Sequence, residues 1–192
     1  SSWSGLGYNR RAKFLHEAAK FIMTQHKGEF PKTLNELIAL PGVGRNTAGA
    51  VLAYAFNQPA SFIETNIRTI YIHHFFKDRS DVSDSEIIDL VTKSLPTDPS
   101  KNREWYWALM DYGVFLKSTI GNASRASKHY TKQSRFSGSN RQIRGQVIKL
   151  LTQHPHSVTQ LKEAIDDRRL SMVLQDLQNE SLIQQTGSQF HL

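Results

Sequence analysis

The chain has 192 residues, of which 24 are Lys or Arg and 17 are Asp or Glu, so its formal net charge is +7. Hydrophobic residues make up 39% of the chain, a composition that favours a folded protein with a buried core over a disordered polyelectrolyte. The absence of cysteine excludes disulfides, thiolate zinc sites and an iron–sulfur cluster held by this sequence. No apolar run approaches the length of a membrane span, and the first residues lack a signal-peptide pattern. We therefore expect a cytoplasmic protein with no membrane partner.

The positive charge is concentrated in one part of the chain. Residues 112–162 contain nine Lys or Arg residues and no Asp or Glu. Such a segment is typical of proteins that contact a phosphate backbone, although a solvated linker is the alternative interpretation. Within it, residues 118–140 are rich in Ser, Gly and Asn and have no helical period. They are predicted to be a basic connector between a first domain, 1–117, and a second domain, 141–192.

The first domain is predicted to be entirely helical. No paired strands are expected before residue 180. Apolar spacing and capping residues predict helices over Arg10–Lys27, Thr33–Leu40, Arg45–Phe56, Asn66–Phe76, Ser83–Leu95 and Arg103–Lys117.

Two of these helices are joined by the sequence Pro41-Gly42-Val43-Gly44, whose glycines permit backbone angles that are closed to other residues. The turn is expected to leave the amides of Val43, Gly44 and Arg45 unpaired at a helix N-terminus, where they can bind phosphate. Such a turn is more often only a tight connection. In a basic, helical chain it predicts a contact with the DNA backbone.

Glu64 lies eighteen residues after Asn46, where a loop meets the next predicted helix. Its carboxylate either caps that helix or faces a cleft, and the local sequence favours the cap.

Four motifs of the chain resemble the helix-hairpin-helix base-excision glycosylases, and most closely their adenine-specific mismatch branch. The similarity covers about residues 3–117, and the motifs are Trp3–Tyr8, Leu40–Ala50, Glu64–Arg68 and Met110–Gly113. The resemblance implies a mainly α fold, with a helix-hairpin-helix glycosylase domain. The expected partner is double-stranded DNA that carries a mispair or lesion, bound by a monomer associated with the bacterial nucleoid.

The resemblance also implies a role for individual residues. Glu64 occupies the position of the catalytic carboxylate, normally Asp, which stabilises the oxocarbenium-like sugar as the glycosidic bond breaks. Asn66 matches an Asn beside that carboxylate, and Tyr8 matches a wedge that enters the base stack while the target nucleotide flips out. The hairpin contacts with DNA fall to Gly42, Val43, Gly44, Arg45 and Asn46. The backbone carbonyls of Ile38, Leu40 and Val43 would hold a monovalent cation, K⁺ or Na⁺, with no other cofactor expected.

Asn46 stands where family members that cut the DNA backbone carry Lys, the amine that forms a Schiff base with the sugar. Asn cannot do so, and the chain is expected to be a monofunctional glycosylase that leaves an abasic site. Adenine opposite guanine or oxidised guanine is the expected target. The alternatives are a thymine or uracil mismatch glycosylase and a non-catalytic module that binds mismatched or damaged DNA.

The sequence departs from the family pattern at three points. Glu64 is one methylene longer than the usual Asp, and misplacing a catalytic group by 1 Å can cost about 100-fold in rate. The four cluster cysteines, the first of them near Lys117, are absent. The family's general-acid Glu precedes the tryptophan motif, which here begins at Trp3, so we expect this domain to be N-terminally incomplete and inactive without that segment.

The C-terminal residues predict a small winged-helix-like domain. The expected elements are helices over Arg141–Gln153, from Ser157 and over Asp167–Glu180, and strands at Leu182–Gln185 and Gln189–Leu192. A winged helix places its third helix in a DNA groove, where it would offer Arg168, Arg169, Ser171, Gln175 and Gln178. Arg141 and Arg144, on the first of these helices, are also predicted to contact DNA. A protein-interaction module is the alternative.

Overall fold

The computed structural model describes residues 8–192, so the Trp3–Gly7 part of the first motif lies outside the described residues. Over that range the protein consists of helices with three short strands, which confirms the mainly α fold. Its internal contacts define two compact units. The helical unit is Lys20–Lys132, and the winged unit comprises the described residues up to Ala19 together with Gln133–Leu192. The division into domains 1–117 and 141–192 with a connector stays a prediction from the sequence.

The helical unit contains five complete helices and the C-terminal part of a sixth, because its boundary at Lys20 lies inside the helix Asn9–Gln25. They are α1 (Asn9–Gln25), α2 (Leu34–Ile38), α3 (Arg45–Phe56), α4 (Thr65–Phe75), α5 (Asp84–Lys93) and α6 (Asn102–Thr119), with 3₁₀ turns at Pro99–Lys101 and Ala123–Ala126. Each predicted helix is present. Helix α2 ends two residues before the expected Leu40, because the Leu40 N–H bonds the carbonyl of Leu37 and tightens the last turn into a 3₁₀ geometry.

Side chains at the helix starts fix where several of these helices begin. Ser83 caps α5 in a full capping box with Glu86. Thr33 caps α2 by accepting the Glu36 N–H, and its hydroxyl donates to the Glu36 carboxylate at 2.6 Å. These caps bond backbone N–H groups at the helix starts and so stabilise α2 and α5, which are short.

The core of the helical unit lies between α4, α5 and α6. The rings of Phe62 and Tyr106 stack with their centroids 4.2 Å apart, and the Tyr106 hydroxyl donates to the Ala60 carbonyl at 2.6 Å. These contacts hold the loop that precedes α4 against α6. The position of Glu64, two residues after Phe62, is therefore set by the core.

The first part of the predicted connector is packed into the helical unit. Ser124 is buried within a 3₁₀ turn that Asn122 caps, and Ser127 forms a bridge with Val82. Polar residues in this stretch therefore satisfy local backbone groups, a role that composition alone does not distinguish from a solvated linker.

The winged unit has the helix and strand order of a winged helix. Its elements are α7 (Asn140–Gln153), β1 (His156–Ser157), α8 (Val158–Ala164), α9 (Leu170–Asn179), β2 (Gln184–Thr186) and β3 (Gln189–His191). The strands form an antiparallel sheet in the order β1-β3-β2, with Phe190 opposite both His156 and Gln185. The expectation of no paired strand before residue 180 is wrong here, because a two-residue strand is too short to show alternation.

None of the described helices is long and apolar enough to cross a membrane.

Candidate DNA-binding hairpin and carboxylate site

The hairpin between α2 and α3 is a tight turn that requires glycine at one position. Gly42 has a φ of +74°, in the left-handed region that favours a residue without a side chain. The Val43 N–H donates to the Leu40 carbonyl at 3.1 Å, so the expectation that this amide is unpaired is wrong. The turn needs that bond to close. Within residues 8–192, no hydrogen-bond acceptor meets the amides of Gly44 and Arg45.

The N-terminus of α3 therefore presents two unpaired backbone donors. Gly44 is its N-cap and supplies no side-chain acceptor, and Arg45 is exposed on the first turn. Helix α3 has twelve residues, and its dipole places a partial positive charge at this end. Backbone N–H groups, dipole and guanidinium together favour a phosphate oxygen, with no preference for base sequence.

Asn46, on the first turn of α3, connects the hairpin to the segment that carries Glu64. Its side-chain oxygen Oδ1 accepts the backbone N–H of Ile63 at 3.1 Å. Ile63 is 4% exposed and belongs to the core of the helical unit. The hairpin and the carboxylate are thereby held in one rigid part of the unit.

Glu64 is the N-cap of α4, as the local sequence favours. Its Oε1 accepts the backbone N–H groups of Asn66 and Ile67, the latter at 3.1 Å. No described donor bonds Oε2, and the side chain is half-buried. The carboxylate is thus fixed through one oxygen while the other stays available to a ligand.

A small group of polar side chains surrounds this carboxylate. The ammonium group of Lys117 donates to Asn66 Oδ1 at 2.5 Å, and the Asn66 side-chain amide points to the sulfur of Met110. Helix α6 approaches closely here, because a Cβ on Gly113 would lie 2.5 Å from the Cβ of Asn66. Glycine at position 113 therefore brings Lys117, one turn later, against the first turn of α4.

The pKa values of two neighbours show that the charge of Glu64 reaches them. Burial lowers the pKa of Lys117 below its usual value, and the Glu64 charge acts in the opposite direction. Burial raises the pKa of Tyr54, and Glu64 raises it further. The Tyr54 hydroxyl is buried and meets no hydrogen-bond partner among the described residues.

Three carbonyls behind the hairpin were predicted to hold a monovalent cation. Those of Ile38 and Val43 accept no hydrogen bond from the described residues, whereas that of Leu40 accepts the Val43 N–H. A carbonyl oxygen has two lone pairs, so all three retain capacity for a hard cation. The cation site stays a prediction from the resemblance.

Tyr8 belongs to the winged unit by its contacts. Its side chain is 60% exposed, and its hydroxyl accepts a hydrogen bond from Gln133 at 2.7 Å. That bond is the main cause of a lowered pKa for Tyr8. The structure brings Glu64, Asn66 and Asn46 together in the helical unit, and it groups Tyr8 separately.

Of the five arginines predicted to bind DNA, four belong to the winged unit, and two of these four form ion pairs. Arg169 pairs with Asp167 through two hydrogen bonds and also donates to the Gly138 carbonyl. Arg144 pairs with Glu180. Arg168 is exposed, and Arg141 donates to the Ser134 carbonyl and lies beside the Tyr8 hydroxyl. Neither arginine forms an ion pair within residues 8–192, so both remain able to reach a phosphate. Charge counting does not distinguish free from paired guanidinium groups.

Reasoning from the sequence missed the roles of Lys117 and Tyr54. Lys117 stood out only as the place where a cluster cysteine was expected. The sequence contains one indication that Lys117 lies near α4. It is four residues after Gly113, so both residues lie on one face of α6.

Comparison with known proteins agrees with the hairpin and its surroundings. The family model of the helix-hairpin-helix motif matches residues 25–54. An adenine DNA glycosylase of Buchnera aphidicola subsp. Baizongia pistaciae is 32% identical over 116 residues, 59% of this chain and 32% of the relative. One of Mycolicibacterium smegmatis is 26% identical over 205 residues, 97% of this chain and 70% of the relative.

A third adenine DNA glycosylase, from Schizosaccharomyces pombe, is 35% identical over 146 residues, 69% of this chain. The matched region spans only about a third of the Buchnera and fission yeast proteins, 32% and 30% of their lengths. The chain belongs to the helix-hairpin-helix DNA glycosylase superfamily and is similar to the adenine DNA glycosylases within it.

Proposed function

We propose that this chain hydrolyses the N-glycosidic bond of a mispaired base in double-stranded DNA, with adenine opposite guanine or oxidised guanine as its target. The observation that carries the proposal is the connection from Asn46 to Ile63. It holds a DNA-binding hairpin and the half-buried Glu64 carboxylate in one rigid part of the helical unit. The adenine DNA glycosylases to which the chain is similar support the choice of base.

In the proposed reaction the hairpin binds the DNA backbone first. The free amides of Gly44 and Arg45 bind a phosphate oxygen near the target nucleotide, and the helix dipole favours that contact. A K⁺ or Na⁺ held by the Ile38, Leu40 and Val43 carbonyls would add positive charge behind the turn. Tyr8 would enter the base stack beside the mispair while the target nucleotide flips out.

Glu64 then stabilises the positive charge that develops on the sugar as the base leaves. Its Oε1 is held by two backbone N–H groups, so Oε2 faces the reaction without a cost of reorganisation. The charge that the ring acquires is transient, and a fixed anion in a partly water-excluded site stabilises it more than water does. Water then adds to the sugar and leaves an abasic site.

Asn46 supports hydrolysis without strand cleavage. An amide nitrogen is not a nucleophile toward the sugar, and here the Asn46 side chain is already engaged with Ile63. A thymine or uracil target is the alternative within the same reaction type.

A non-catalytic mismatch-binding module is the second candidate function. It is favoured by the N-cap role of Glu64, because a carboxylate that caps a helix has a structural reason to be present.

The test is an excision assay on duplexes that contain A:G, A:oxidised G, T:G or U:G, with strand breaks read after alkali treatment. With the chain extended by the N-terminal helices of a relative, we expect alkali-labile sites at adenine, and none with Glu64→Gln in the same extended chain. Tight mispair binding without excision of any base, also after the chain is extended by the N-terminal helices of a relative, would overturn the enzymatic proposal.

A further inference from the structure

The proposed reaction leaves one nucleophilic group of the site unused. The Nζ atom of Lys117 lies 2.5 Å from Asn66 Oδ1, and the Glu64 carboxylate bonds the backbone N–H of the same Asn66. The amine and the carboxylate thus bind two atoms of the same residue on the first turn of α4, and the charge of Glu64 acts on the Lys117 ammonium group. A group this close to Glu64 is near the sugar on which Glu64 acts.

Lys117 is not neutralised by an acidic partner. Its hydrogen bond is to a neutral amide oxygen, and among residues 8–192 no Asp or Glu lies within salt-bridge distance of it, although the charge of Glu64 acts on it from further away. The side chain is half-buried, so its flexible four-carbon stem is both partly desolvated and able to reach solvent. Burial lowers the pKa of the ammonium group, which increases the fraction of neutral, nucleophilic amine near neutral pH.

We propose that the Lys117 amine captures the abasic product of this site as an imine with the sugar aldehyde. The inference rests on the proposed function, which supplies an abasic sugar next to Glu64. In the step, the Nζ lone pair attacks C1′ of the open-chain sugar, and the C–N bond forms as the carbonyl π bond opens. The aldehyde oxygen then leaves with the two amine hydrogens as water, which yields the C=N bond.

Imine formation breaks no phosphodiester bond, and water reverses it. It is therefore compatible with a glycosylase that does not cut the strand. The amine acts from α6, whereas the lysine of strand-cutting family members stands at the position of Asn46 on α3. Capture would hold the reactive aldehyde on the protein after the base has left.

The experiment supplies a duplex with a preformed abasic site, so that it does not depend on base excision. The wild-type chain is mixed with this DNA and sodium borohydride, which reduces an imine to a stable amine. We expect a covalent complex on a denaturing gel and a DNA-modified peptide that contains Lys117. Lys117→Arg keeps the charge but has no amine that forms an imine, and it should lower the yield at least tenfold.

Lys93→Arg is the matched control, because Lys93 is an exposed lysine of α5 in the same unit, and it should leave the yield unchanged. Mapping the wild-type adduct keeps the test valid if Lys117→Arg does not fold. The proposal is overturned if the wild-type chain forms no adduct, or if the adduct maps to another amine. Either result leaves excision of a mispaired base by Glu64 untouched, since that reaction is measured on different DNA.

Discussion

The side-chain oxygen of Asn46 accepts the backbone N–H of Ile63 at 3.1 Å, which links the hairpin between α2 and α3 to the residue before Glu64. The bond spans seventeen residues and ties two segments that share no regular secondary structure. Asn46 therefore has a positioning role of its own. This role is separate from the prediction that a chain without Lys at this position does not cut the DNA strand.

Replacement of Asn46 by Ala tests this role. The variant leaves the Ile63 N–H without an acceptor in a buried segment, so we expect the free energy of unfolding to fall by about 1–3 kcal/mol. Urea denaturation measures it. Thr47→Ala, at the exposed next position, is the control and should change stability by less than about 0.5 kcal/mol. Equal effects of the two variants would show that the Asn46 bond contributes nothing.

Glu64→Gln separates the charge of this residue from its capping role. The Gln carbonyl oxygen can accept the same Asn66 and Ile67 N–H groups, so the melting temperature should be close to that of the wild type. Excision should fall by about 100-fold or more, because the fixed anion is lost. Glu64→Ala should also lose the cap, at about 1 kcal/mol.

The control for that pair is Glu36→Gln, at an exposed capping position of α2, which should leave excision unchanged. A Glu64→Gln variant that excises adenine at the wild-type rate would contradict the electrostatic role of Glu64.

The helices and the hairpin could be predicted from the sequence because their signals are local. The glycine turn before Arg45 and the small residues after it predict a helix to about Phe56, which matches α3, and Ser83 and Glu86 mark the start of α5. Glu64 as an N-cap follows equally from its place before a helix. These features depend on residues within one or two turns of each other.

The composition of the site could not be predicted, because it depends on contacts between distant segments. Lys117 and Asn66 are 51 positions apart, and only the close approach of α6 at Gly113 brings them together. The pairing of Arg169 with Asp167 is local, yet a count of charges gives no indication of it. The family resemblance supplied Glu64 and Asn66 but not Lys117 or Tyr54.

Gly113→Ala tests the close approach of α6 to α4. The added Cβ would lie 2.5 Å from the Asn66 Cβ and 2.7 Å from its carbonyl oxygen, so the helices must separate. We expect a loss of stability of about 1–3 kcal/mol and a weaker contact between Lys117 and Asn66. Gly145→Ala on α7 is the matched control, since a Cβ there meets nothing within 4 Å. Its better helix propensity should stabilise the chain by about 0.5–1 kcal/mol.

Arg168 and Arg169 should differ in their effect on DNA binding. Arg168 is exposed, and in the described part of the chain it has no ion-pair partner, whereas Arg169 is held by Asp167. Arg168→Ala should weaken binding to duplex DNA and reduce the slope of log affinity against log salt by about 0.9. Arg169→Ala should lower the melting temperature and leave the slope of log affinity against log salt nearly unchanged. Unchanged affinity and slope for Arg168→Ala would remove it from the DNA interface.

The ion pair of Asp167 predicts how the stability of the winged unit changes in acid. The side-chain and backbone hydrogen bonds from Arg169 lower the pKa of Asp167 from its usual 3.8 to about 2. Because the folded pKa is depressed, the stabilisation is complete above pH 3.8 and is lost as the pH falls through about 2. Asp167→Asn should therefore lower the melting temperature at pH 7, and the difference from wild type should shrink toward pH 2. Asp166→Asn, at the exposed neighbour, should show no such convergence, and a difference for Asp167→Asn that stays constant from pH 5 to pH 2 would contradict the assignment.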